Sequence, residues 1–145
     1  MNLRRLPLLA LALALPLAWG CGLFEDLRPR TVSLKIDGPA GTRVSMLMAT
    51  NFVAGVNEQG VTQVQVFGSD TVTAVLPVDT VIGISAAQRF FLQLTPAAAD
   101  SLGVRVRIDV DDRNRYNDSG LIFASDPFRW VFVFNQNTTL AIELL

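Results

Sequence analysis

The 145-residue chain has no histidine, and Cys21 is its only cysteine. Those two gaps exclude Ser-His-Asp and Cys-His catalysis, together with zinc, iron or copper sites built on imidazoles or several thiolates. A lone cysteine cannot close an internal disulfide, so Cys21 acts alone or with another molecule. Basic residues are sparse: Lys35 is the one lysine, and no basic run occurs. Nucleic-acid binding therefore lacks its electrostatic footprint, and no nucleic-acid partner is expected. Nor does any apolar run reach the ~20 residues that a membrane-spanning helix needs.

What is there begins with a leader. Arg4 and Arg5 precede an almost pure Leu/Ala/Pro stretch over residues 6–18, and the small residue Gly20 follows. The apolar run 6–19 is 14 residues long and carries Pro7 and Pro16, so it reads as a cleaved secretory signal rather than a span. The stretch Leu17-Ala18-Trp19-Gly20-Cys21 resembles the lipobox of bacterial lipoproteins, which ends in a small residue followed by the lipidated cysteine. Leu17 stands one place further from the cysteine than that pattern prefers, and Trp19 is an unusual neighbour.

The resemblance covers only the leader. It implies a diacylglyceryl thioether on Cys21, cleavage before it and acylation of the new amino group. Two or more acyl chains give durable anchoring where one is marginal, so a membrane is the implied partner. Gly22 occupies the place where Asp would signal inner-membrane retention, which implies an outer-membrane destination in a cell that has one. Residues 1–20 are thus read as signal peptide and 21–30 as lipidated cysteine and tether. Leu23, Phe24 and Leu27 of that tether can dock on the domain or dip into the interface.

Residues 31–145 are read as one domain. Removing residues 1–20 leaves 125 residues, enough to bury roughly two-thirds of the unfolded surface. Without Arg4 and Arg5 the mature part has 10 basic against 13 acidic residues, a net charge of −3. Apolar residues alternate with polar ones at period two, as in half-buried strands. Val32, Leu34 and Ile36 form one such row, and Val44, Met46 and Met48 continue after the turn Gly38-Pro39-Ala40-Gly41. Further strands are expected over 61–67, 71–76, 80–85, 89–94, 104–110, 129–134 and 138–144, with Gly68-Ser69-Asp70 as a hairpin turn. A single helical turn is expected within 96–102. The pattern predicts an all-β domain of about eight strands, an immunoglobulin-like or transthyretin-like β-sandwich, with an up-and-down barrel as runner-up. The strands carry too many polar positions for an outer-membrane barrel.

Three constellations bear on function. The run Asp109, Asp111, Asp112, Asn114, Asn117 and Asp118 reads as an acidic loop whose oxygens suit calcium, an ion that takes 6–8 oxygen ligands. Against this, Arg113 and Arg115 interleave, the glycine of an EF-hand is missing, and Asp and Asn also serve ordinary turns. Asp109, Asp111 and Asp126 raise a glycosidase pairing, but no second signature supports it. Phe123, Phe128, Trp130, Phe132 and Phe134 form an aromatic cluster; Trp130, Phe132 and Phe134 share a strand face, so core packing is expected ahead of an exposed carbohydrate platform. Asn137-Thr138-Thr139 matches a glycosylation acceptor, incidental in a bacterial lipoprotein. The sequence thus points to a lipid-anchored envelope protein with a non-catalytic interaction or structural module and an envelope protein partner. A calcium- or carbohydrate-binding module is the alternative.

Overall fold

Alternation along the chain becomes strands throughout. A computed structural model describes residues 28–59, 62–135 and 139–144. The signal peptide, Cys21, most of the tether and Asn137-Thr138 lie outside the described residues. Nine strands are present among those described: β1 (Thr31–Asp37), β2 (Arg43–Val56), β3 (Thr62–Val75), β4 (Val78–Gly83), β5 (Arg89–Pro96), β6 (Ser101–Val110), β7 (Arg113–Phe123), β8 (Phe128–Phe134) and β9 (Thr139–Leu144). They form two antiparallel sheets, ordered β4-β1-β6-β7 and β3-β2-β5-β8-β9. Two separate sheets with free edges are a sandwich-like arrangement, not a closed barrel. No helix among the described residues is long and apolar enough to cross a membrane.

The inner faces follow the sequence closely. Val32, Leu34 and Ile36 of β1 and Val104, Val106 and Ile108 of β6 meet Met46, Phe90, Leu92, Leu94, Phe128, Trp130 and Phe132 of the other sheet in one core. Core packing of the aromatic cluster holds for Phe128, Trp130 and Phe132, while Phe134 is partly buried and Phe123 is exposed. Gly38 allows a close approach at one end of this core: a Cβ there would lie 2.7 Å from Leu76 Cδ1.

The structure corrects three local expectations. Gly68-Ser69-Asp70 is not a hairpin turn but part of the 14-residue strand β3. Residues 96–102 hold no helical turn; β5 ends at Pro96 and β6 begins at Ser101. The run from Asp109 to Gly120, read as an acidic loop, instead ends β6, turns at Asp111-Asp112 and continues as most of the edge strand β7. An edge strand needs few apolar side chains, so its sequence imitates a loop.

The β2–β3 hairpin departs most from a plain sandwich. Its pairing shifts between Met48 and Asn51 and again between Asn51 and Phe52, then resumes with Phe52 opposite Val66. The two shifts place an extra residue first on β2 and then on β3, so they compensate. Each extra residue swaps the faces of its strand, because side chains alternate with period two. Met46 therefore points into the main core, whereas Phe52 packs on Phe91 at the opposite side of the sheet. The far half of the hairpin bends back over the outer face as a flap, making a third layer.

Candidate functional site

The acidic run proposed from sequence is a tight hairpin between β6 and β7. Asp111 and Asp112 form its two-residue turn with φ of 45° and 63°. Positive φ at both positions gives the turn twist that matches paired strands, and Asp tolerates it. Asp111 is spent on the chain itself: its Oδ1 accepts the Thr31 N–H at 2.9 Å and the Arg30 N–H at 3.0 Å. Burial pushes its carboxyl up, but the backbone bonds from Arg30 and Thr31 and the Thr31 hydroxyl outweigh it, leaving it below the ordinary carboxylate range. Asp109 accepts Arg107 Nε at 2.9 Å and Asn114 Nδ2 at 2.9 Å. Burial raises that carboxyl too, and the bonds from Asn114 and Arg107 with the Arg107 charge lower it further than burial lifts it.

Of the six candidates, only Asp109 and Asn114 are brought into direct contact. Asn117 Oδ1 accepts Arg105 Nε at 3.2 Å, and Asp118 caps the N–H of Ser119 at 2.7 Å. Asp118 pairs with Val106, three residues along β6 from Asp109, which at ~3.4 Å per residue puts it roughly 10 Å away. No group of three or more acidic side chains among the described residues stands together as a metal site. Asp126 lies apart from Asp109 and Asp111, at the seam between β7 and β9.

That seam is an acidic slot. Val104, Val106 and Phe128 form its floor, and Asp118, Asp126 and Glu143 its rim, around about 240 Å³. The Tyr116 hydroxyl donates to Glu143 Oε2 at 2.9 Å and its ring lies on Phe128. Burial, that bond and the nearby charges of Glu143 and Asp118 raise the phenol, so it stays protonated as a donor. Among the described residues no lysine or arginine lines the slot.

The second concavity lies beneath the flap and meets the slot at Leu144, which lines both. Strands β5 and β8 carry unbroken apolar runs, Phe90-Phe91-Leu92 and Trp130-Val131-Phe132-Val133-Phe134, and so need cover on both faces. The flap supplies it: Ala49, Phe52, Phe91, Val131 and Leu144 form a second apolar cluster, with Val131 fully buried. Arg89 fixes the bend, its guanidinium donating to the Phe52 carbonyl at 3.1 Å. Val64, Val66 and Ala54 on the flap stay only partly buried. A cleft of about 680 Å³ opens there, walled by Leu47, Val64, Val66, Phe91 and Leu144. No known protein family, curated protein or solved structure matches the chain. The site must therefore be judged on its own chemistry.

Polar residues share the wall: Thr62, Gln63 and Gln65 line it from β3, and a polar pair stands across from them. Arg129 Nε donates to Gln93 Oε1 at 3.2 Å. Neither residue stood out in the sequence, where a lone Gln and a lone Arg within apolar strands carry no motif. The usable signal was the doubly apolar character of β5 and β8, which demands a third layer. Chemically the cleft offers aliphatic stretches beside the neutral polar groups of β3, with one cationic, donor-rich end.

Proposed function

We propose that this chain is a lipid-anchored protein of the cell envelope whose β-sandwich is a non-catalytic binding and interaction module. Acyl chains on Cys21 would hold it to a membrane, with the outer membrane as destination where one exists, and the domain would meet its envelope partner or ligand through the flap cleft. The observation that carries the binding role is the half-roofed cleft. A hairpin needed only to cover an apolar face would close on it, yet Val64 and Val66 remain partly exposed above a concavity of the size ligand sites occupy.

The anchor rests on the leader: two arginines, a short apolar stretch, and Gly20-Cys21 at its end. On subtype, β1 lies beside β4 and β6 rather than beside β2. In the immunoglobulin order the first two strands are neighbours, so the transthyretin-like alternative is the better supported. The calcium reading gains no support from the acidic hairpin, where Asp109, Asp111 and Asp118 are turned to the chain's own N–H groups.

Feeding cells an alkyne-tagged palmitate tests the anchor. The wild-type chain is expected to take up the tag and sediment with membranes, whereas Cys21→Ser loses the tag and becomes soluble. An untagged wild-type chain would remove the lipoprotein reading.

A further inference from the structure

We infer that the flap cleft takes a long-chain amphiphile with a carboxylate head, of the fatty-acid type, its chain lying under the flap and its head on Arg129. This rests on the cleft being the binding site and adds the chemical class of what it binds. The cleft holds about 680 Å³, within the ~300–1,000 Å³ range of ligand pockets. Leu47, Val64, Val66 and Leu144 give it aliphatic walls, and the polar residues that β3 adds, Thr62, Gln63 and Gln65, are neutral. Exposed aromatic rings, which a sugar would need for stacking, are missing from it: Phe91 is 3% exposed, and Trp130 is turned into the main core.

Charge selects the head group. Arg129 has five N–H donors, and the acceptor it meets is the neutral amide of Gln93. Among the described residues lining the cleft none is Asp or Glu. A half-buried guanidinium with no carboxylate beside it among these residues favours a planar anion that accepts two parallel bonds. The adjoining groove of about 360 Å³, between Arg89, Val133 and Leu140, likewise has no acidic residue among its described lining. There the Arg89 Nε is buried without a partner. Arg89 and Arg129 line the concavities of the flap, whereas Asp118, Asp126 and Glu143 line the slot that meets the cleft at Leu144. An apolar chain with a positive head would be repelled where the aliphatic walls are, and a carboxylate is attracted there.

The test labels the membrane-embedded full chain with a photoreactive C16 carboxylic acid and, in parallel, with the matched C16 alcohol. Adducts are mapped by peptide mass spectrometry. The acid is expected to mark segments 47–66 and 129–144, be displaced by unlabelled palmitate, and exceed the alcohol by roughly ten-fold, the scale of one charge-assisted contact. Arg129→Gln should reduce acid labelling to the level of the alcohol while alcohol labelling persists, which shows the cleft intact. Arg129→Lys should retain the preference for acid. Val64→Asp should abolish labelling by both while hydrogen exchange in 31–37 and 101–110, which belong to the main core, stays as in the wild type. Equal labelling by acid and alcohol in the wild type, or a preference that survives Arg129→Gln, would overturn the carboxylate assignment and leave the cleft as a binding site. Adducts outside the two segments would overturn both.

Discussion

Truncating Phe52 to alanine should release the flap without unfolding the sandwich. Phe52 is 1% exposed and its ring centroid lies 6.0 Å from that of Phe91. Burying such a side chain is worth ~1.5–3 kcal/mol, and a tilted aromatic pair adds ~0.5–1.5 kcal/mol. A loss of about 3 kcal/mol follows, at the low end of Phe→Ala costs in closed cores because the flap can settle. If the flap opens as its own unit, that loss is about a 100-fold rise in amide exchange across 50–67. Segments 31–37 and 101–110 pack in the other cluster and should keep their rates. Hydrogen exchange read by mass spectrometry measures all three at once. Phe90→Ala is the control, since Phe90 is the chain neighbour of Phe91 but points into the main core. It should weaken every strand, by ~3–5 kcal/mol. Uniform acceleration in Phe52→Ala would refute the idea of a separate third layer.

Other perturbations probe the acidic hairpin. Asp112→Gly should raise the thermal midpoint slightly, by the equivalent of ~0.5 kcal/mol, because glycine takes the 63° φ without strain; a marked fall would give the Asp112 carboxylate a role beyond the turn. Asp109→Asn should cost ~1–2 kcal/mol at pH 7 in urea melts, since charge-assisted bonds from Arg107 and Asn114 are lost and Arg107 is half in solvent. Asp109 and Asp111 are both held below the usual carboxylate range, so their stabilisation is present above the unfolded value near ~3.9 and vanishes as pH falls through the folded values. The gap between wild type and Asp109→Asn should therefore narrow below about pH 4, and a gap unchanged at pH 2 would contradict the ionic account. Millimolar calcium should leave the melting temperature where it is; a clear rise that disappears in Asp112→Ala would restore the six-residue site.

How far the sequence could be read depended on how many faces each strand buries. β1 and β6 bury one face each, and Val32-Leu34-Ile36 and Val104-Val106-Ile108 announce it by strict alternation. β7 is an edge with Tyr116 and Ile122 as its anchors, so Arg113-Asn114-Arg115 and Asn117-Asp118-Ser119 looked like a loop. At 68–70, Gly-Ser-Asp has the composition of a turn, and it proved to be the stretch of β3 beside the bend. The pairing that decides this is with β2 across the hairpin and has no local signature. The cleft was harder still: its walls come from β2, β3, β5, β8 and β9, and only the doubly apolar runs in β5 and β8 hinted at a covering layer.

The central claim, that the cleft under the flap is the working surface, is tested most directly by hydrogen exchange on the full chain in lipid nanodiscs with and without added palmitate. The account predicts slowed exchange in 47–66 and in the paired stretch of β8 and β9, with 113–123 unchanged. Protection confined to 113–123, or no protection anywhere, would contradict it.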